Sequence, residues 1–120
     1  MKQAERAYVQ IVGPGNALFS KLSKTASGSA PFSEFRTEAL SYVRELRAEI
    51  GKFRAVRWPA AVQSRISTMI STTFAADIGC LQAQAAAGSF TGVESVSNSN
   101  QNCAAAENSS IPATLPSLLG

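Results

Sequence analysis

The sequence predicts an all-α protein that folds as an antiparallel up-down four-helix bundle, with one disulfide between the third and fourth helices. Apolar residues recur at intervals of three and four along four segments, which is the spacing of one helix face. No segment alternates apolar and polar residues as a strand would. Hydrophobic residues make up 45% of the 120 residues and charged residues 16%, so the chain is apolar enough to form one packed domain.

The first helix is predicted over residues 1–24 and the second over residues 33–57. The apolar stripe of the first helix consists of Ala4, Tyr8, Ile11, Gly15, Leu18 and Leu22. The stripe of the second helix consists of Phe32, Phe35, Ala39, Val43, Leu46, Ile50 and Phe53. Ser33 is expected to cap the second helix, because a serine hydroxyl accepts a hydrogen bond from a free N–H of the first turn.

The third helix is predicted over residues 59–88. Pro59 suits its first position, where the missing N–H costs nothing, and Gly88 is expected to stop it. The stripe of this helix is long and unbroken, and it consists of Val62, Ile66, Met69, Thr73, Ala76, Cys80, Ala83 and Ala87.

The fourth helix is predicted over residues 91–110, opened by a capping box formed by Thr91 and Glu94. Its serines and asparagines are weak helix formers, so the helix needs support from elsewhere. Asn100 falls on its stripe and is expected to be a buried polar group, with Thr73 as a candidate partner. The leucines of the tail, residues 111–120, are expected to lie across one end of the bundle.

The two cysteines are the candidate support for the fourth helix. Cys80 and Cys103 fall near the same level of two antiparallel helices, and both occupy inward positions. A disulfide between them would stabilise the fold by roughly 3 kcal/mol and would indicate an oxidising compartment outside the cytosol. The alternative is a pair of reduced, buried thiols that act as small apolar side chains.

The charges are segregated along the chain. Residues 1–65 hold eleven basic and five acidic side chains, whereas residues 66–120 hold only three acidic ones. The predicted interaction surface lies on helix two and the corner that follows it, and it consists of Arg44, Arg47, Arg54, Arg57, Trp58 and Arg65. Such a surface suits an envelope protein or an anionic membrane. The alternative is a solvated face neutralised by Glu38, Glu45 and Glu49, with Trp58 plugging the end of the bundle.

Several chemistries find no support in the sequence. Histidine is absent and only two cysteines occur, so a histidine triad is impossible and a zinc site lacks ligands. No phosphate-binding glycine loop and no nucleic-acid reading motif is present. We therefore assign no catalytic residue, no metal, no cofactor and no nucleic-acid partner.

A second hypothesis is a carrier or sensor of a small apolar ligand, such as a lipid or haem. The small residues between helices three and four leave the gap in which such a ligand would fit. Tyr8 and Tyr42, and more weakly Met69, are the side chains that could ligate haem iron, but none has the flanking residues of a haem motif.

The order of these elements resembles small secreted proteins and lipoproteins of actinobacteria, particularly mycobacteria. The resemblance spans nearly the whole chain: a first helix AYVQIVGPGNALF, the corner RWPAAVQSRI, and two cysteines with an alanine-rich end and a leucine-containing tail. It implies a helical bundle of unassigned activity, exported and often lipid-anchored on a cysteine upstream of residue 1. The serine- and asparagine-rich fourth helix of this sequence departs from the pattern of those proteins. The expected function is a non-enzymatic interaction module of the cell envelope.

Overall fold

The computed structural model describes all 120 residues and contains helices and no strands. It has seven α-helices and one π-helical turn: α1 (Lys2–Ser27), α2 (Phe32–Ala55), α3 (Ala60–Met69), the π turn (Ile70–Phe74), α4 (Ala75–Ala85), α5 (Phe90–Ser99), α6 (Gln101–Glu107) and α7 (Leu115–Leu119). The all-α prediction is confirmed, but the division into four helices is not reproduced. No helix combines the length and the hydropathy needed to cross a membrane.

The pairing of α1 with α2 is organised around a glycine and an aromatic pair. Gly15 is buried and lies directly against the carboxyl group of Glu49, which occupies the space that a Cβ would fill. Closer to the start of α1, the rings of Tyr8 and Phe53 are 5.7 Å apart. The two helices therefore run along each other over most of their lengths, joined by the short connection 28–31.

The predicted third helix is one rod with a π turn at its middle. The N–H of Ala75 bonds the carbonyl of Ile70, five residues earlier, which inserts one extra residue into the turn. The hydroxyls of Ser71 and Thr72 both donate to the carbonyl of Thr68, a local bonding pattern that loosens helical turns. The π turn is where both Thr73 and Phe74 become buried.

The predicted fourth helix is broken in two, and its start differs from the prediction. Ser89, not Thr91, caps α5, through a hydrogen bond that the Gly92 N–H donates to its hydroxyl. Asn100 lies between α5 and α6 in an extended conformation, where its side chain accepts bonds from the N–H groups of residues 102 and 103. Asn100 is therefore half-buried and caps α6, and it is not bonded to Thr73 as predicted. Asparagine satisfies free backbone donors better at a cap than inside a helix.

Two other helix starts differ from the predicted ones. Ser33 makes no capping bond, since α2 begins one residue earlier, at Phe32 after Pro31. Pro59 precedes α3 instead of being its first residue. The stop signal lies close to the expected place: α4 ends at Ala85, and Gly88 adopts the positive φ of 83° that favours glycine.

Part of the core is an aromatic cluster centred on Phe53. Phe53 packs against Tyr8, Trp58 and Phe74, with ring centroids between 5.7 and 5.9 Å apart. Leu115 of α7 is 1% exposed and joins this cluster. Through α7, the leucine-containing tail thus packs against α1 and α3.

Candidate functional site

The predicted disulfide between Cys80 and Cys103 is present, and no thiol is left free. The two Cα atoms are 4.7 Å apart. This close approach of α4 and α6 is helped by Gly79, because a Cβ there would fall 2.7 Å from Cγ of Asn102. Cys103 is the one buried residue of α6, so the disulfide is the main attachment of that helix.

A partly open cavity of about 350 Å³ lies beside the disulfide. Side chains of α1, α2, α4, α5 and α6 and of the chain that follows α6 form its walls: Asn16, Phe19, Leu22, Tyr42, Asp77, Cys80, Leu81, Gln84, Ser97, Cys103, Ala106, Glu107, Ser109, Ser110 and Ile111. The gap predicted between helices three and four is therefore present, and it extends to α1 and α2. Its volume lies in the range of ligand-binding cavities, about 300 to 1,000 Å³.

The apolar wall of the cavity includes an aromatic side chain that the fold leaves uncovered. Phe19 is 55% exposed, and the other large apolar side chains with such exposure are Met1 and Val9. Its ring centroid lies 6.1 Å from that of Tyr42, which is buried behind it. Leu81 continues the same wall on α4. An apolar molecule in the cavity would cover the Phe19 ring and remove its apolar surface from water, which is favourable.

The polar groups of the cavity are acidic or neutral. Asp77 is half-buried, and burial alone raises the pKa of its carboxyl to about 6, with no cation or hydrogen bond to offset the loss of water. Glu107 lies at the exposed rim. The Gln84 amide donates to the Ser97 hydroxyl at 3.0 Å, which ties α4 to α5 across the wall. The Asp77 charge is also among the causes that raise the pKa of the neighbouring Tyr42, after burial.

The candidate haem ligands fall in two different places. The Tyr8 hydroxyl donates to the carbonyl of Pro112 at 2.6 Å and contacts Sδ of Met69 at 3.6 Å, so both side chains are engaged in the packed core. Tyr42 alone borders the cavity. No group of three or more histidine, cysteine, aspartate or glutamate side chains is placed to hold a metal ion.

The five arginines of the predicted interaction surface are all exposed: Arg44, Arg47, Arg54, Arg57 and Arg65. They lie on the solvent side of α2, at the corner after it, and on α3. We call these five residues the basic surface.

Trp58 does not belong to the basic surface. It is 6% exposed and packs against Phe53, whose carbonyl accepts a hydrogen bond of 2.8 Å from the indole N–H. The Trp58 side chain is therefore part of the core and does not present its ring to a partner.

Two of the three glutamates that could neutralise the arginines, Glu38 and Glu49, are buried and do not face them. Glu38 is buried and accepts a hydrogen bond from the Thr25 hydroxyl of α1. Glu49 is 1% exposed and faces Gly15, while Glu45 is half-buried with one oxygen shielded from solvent. The expected neutralisation is thus wrong for Glu38 and Glu49, because both point into the contact between α1 and α2.

The buried carboxyl of Glu49 is the most perturbed acidic group of the chain. Burial raises its pKa to about 8, helped by a hydrogen bond with Glu45 and by the charge of that residue. Glu49 therefore holds its proton at neutral pH. One oxygen of each carboxyl has no hydrogen-bond partner.

The sequence offered signals for the cavity residues that the reasoning missed. Phe19 lies four residues after Gly15 and three before Leu22, so helical spacing places it beside the stripe but does not show that the fold leaves it exposed. Asp77 is the sole charged residue between Arg65 and Glu94, so no cation near it in the sequence could pair with its carboxyl. Compared with known proteins, the chain matches no family model, no curated protein and no solved structure.

Proposed function

We propose that this chain is a non-enzymatic, extracytoplasmic module that binds a small, largely apolar molecule in the cavity beside the disulfide. The observation that carries the proposal is the exposed Phe19 ring on the wall of a 350 Å³ cavity. A ligand that covers the exposed half of this ring would gain about 1 kcal/mol from its burial.

The architecture supports this proposal. We take four units as the helices of one antiparallel bundle: α1, α2, the rod α3–α4 and the segment α5–α6. Helices α1 and α2 run in opposite directions, because Tyr8 contacts Phe53 while the later Gly15 contacts the earlier Glu49. Ligand sites of bundles lie between facing helices. The cavity occupies such a position.

The extracytoplasmic location is supported by the disulfide. A stable Cys80–Cys103 bond is compatible with an oxidising compartment, because cytosolic thiols are kept reduced. The resemblance to secreted proteins and lipoproteins of actinobacteria points the same way. We propose the cell envelope or the secreted fraction as the place of action.

A fluorescence titration with Nile red, a neutral apolar dye, tests the binding function. We expect saturable enhancement with the wild-type protein and at least about fivefold weaker binding by Phe19→Ala, which removes about 1 kcal/mol of contact. Val9→Ala is the matched control, since Val9 is 48% exposed on the same helix and does not line the cavity. Equal binding by both variants, or no enhancement at all, would contradict the proposal.

The basic surface is the second candidate site, as a contact for an anionic membrane or an envelope protein. The withdrawal of Glu38 and Glu49 favours it, because the arginines then face solvent without the acidic partners that the sequence suggested. Clustered cations attract anionic headgroups through long-range fields that salt weakens.

Co-sedimentation with phosphatidylglycerol vesicles tests this second function. The triple variant Arg44→Glu, Arg47→Glu and Arg54→Glu should lose vesicle binding while keeping its helicity by circular dichroism, because all three side chains are exposed. Phosphatidylcholine vesicles serve as the neutral control. Unchanged binding of the variant would remove the basic surface from consideration.

A further inference from the structure

The cavity has a one-sided charge distribution. Its walls include two carboxyl groups, those of Asp77 and Glu107, and no lysine or arginine. Both belong to the part of the chain that follows Arg65, in which every ionisable side chain of the sequence is acidic apart from disulfide-bonded cysteines. The eleven cations all lie at or before Arg65. The charged residues that line the cavity are therefore all acidic, although the chain carries a net charge of +3.

Asp77 is the group in the cavity that gains most from a cationic partner. Its carboxyl is half-buried, and no protein cation or hydrogen bond compensates for the water it has lost. A positively charged group of a ligand would supply that compensation, since a hydrogen bond to a charged partner is stronger than a neutral one. A carboxylate of a ligand would instead meet two like charges.

The aromatic wall suits the same ligand. Phe19 and Tyr42 present their rings within 6.1 Å of each other beside Asp77. Aromatic faces attract ammonium groups, and they pack equally well against an alkyl chain. The cavity thus offers an anionic anchor next to apolar surface.

We infer that the ligand of this cavity is a hydrophobic amine, whose ammonium group pairs with Asp77 while its apolar body covers Phe19. This inference rests on the proposed function and adds the charge of the ligand to it. Fatty acids and haem, which carry carboxylates, fit this electrostatic environment poorly. The ligand class is therefore cationic amphiphiles, and not the anionic lipids that the basic surface would attract.

Competition against Nile red with three probes of one chain length tests the inference. Decylamine, decanol and decanoate are compared at neutral pH, each below its micelle concentration. We expect decylamine to bind about tenfold more tightly than decanol, and decanoate more weakly than either. If decanol competes as well as decylamine, the ligand charge is refuted while apolar binding stands. If Nile red itself does not bind, the proposed function fails first.

Substitution of the anchor identifies the partner of the amine. Asp77→Asn should remove the preference for decylamine and leave the affinity for decanol within about twofold. Glu94→Gln is the matched control, because Glu94 is an exposed acid of the same half of the chain that does not line the cavity. A preference that survives in Asp77→Asn would overturn the pairing. Should that variant fail to fold, the comparison of the three probes on the wild-type protein still decides the inference.

Discussion

Replacing both cysteines with alanine removes the covalent link that holds the least self-sufficient part of the fold. The segment α5–α6 has one fully buried side chain, that of Cys103. Its other contacts include the ring of Phe90 against two phenylalanines of α2, the packing of Val93 on the core, and the hydrogen bond between Gln84 and Ser97. The side chains that the segment contributes to these contacts are only partly buried. The segment should therefore depend on the disulfide.

The size of the effect follows from the loop that the disulfide closes. Cys80 and Cys103 are 23 residues apart, and closing a loop of that length restricts the unfolded chain by about 3 kcal/mol at room temperature. With a urea dependence of about 2 kcal/mol per molar, the unfolding midpoint should fall by about 1.5 M. Removal of two sulfur atoms from a tight helix contact adds a smaller cost of the same sign.

Urea unfolding followed by circular dichroism measures this change in Cys80→Ala/Cys103→Ala. The control is Gln82→Ala/Gln101→Ala, which alters two exposed positions of the same helices and should leave the midpoint unchanged. Wild-type protein with a phosphine reductant should approach the double cysteine variant. Hydrogen exchange should show the loss of protection first in α5 and α6. A decrease below about 1 kcal/mol would refute the reasoning, since packing alone would then hold the segment.

Two further predictions concern the contact between Gly15 and Glu49. Because burial raises the pKa of Glu49 from its ordinary 4.5 to about 8, the folded state binds the extra proton between these values and stability falls as pH rises through them. In Glu49→Gln the midpoint of urea unfolding should decline less as pH rises than it does in the wild-type protein. If the midpoints of both proteins decline in parallel, Glu49 is not the source of the pH dependence. Gly15→Ala should destabilise by about 1 to 3 kcal/mol in thermal unfolding, because the new Cβ would fall 3.1 Å from Cδ of Glu49 and closer still to an oxygen. The control Gly51→Ala adds a Cβ at an exposed position of α2 where it meets open space, and should stabilise by about 1 kcal/mol; equal effects at both positions would contradict the steric argument.

The first two helices were predictable because their apolar spacing and their Pro/Gly/Ser connections agree. The structure gives α1 as Lys2–Ser27 and α2 as Phe32–Ala55, close to the predicted ranges 1–24 and 33–57. Spacing does not show which polar side chain a neighbouring helix accepts. Glu49 lies at helical spacing from buried Leu46 and Phe53, but only the missing Cβ of Gly15 on another helix makes room for it.

The predicted third and fourth helices show two different limits of sequence reasoning. A π turn inserts one residue without breaking the chain of helical hydrogen bonds, so the apolar stripe around Phe74 remained compatible with a regular helix. The break at Asn100 had a local signal, since asparagine competes for backbone donors, but its stripe position suggested burial. In both places side-chain hydrogen bonds to the backbone accompany the departure from a regular helix.

The structure places the basic and the acidic side chains in different environments. Glu38 and Glu49 of α2 are buried against α1, whereas the arginines of the basic surface face solvent. Asp77 and Glu107 turn toward the cavity, which no cation borders. No residue is common to the basic surface and the cavity, so substitutions in one should not change binding at the other. Vesicle binding that is lost in the arginine variant together with unchanged dye binding would show that the molecule carries two independent sites.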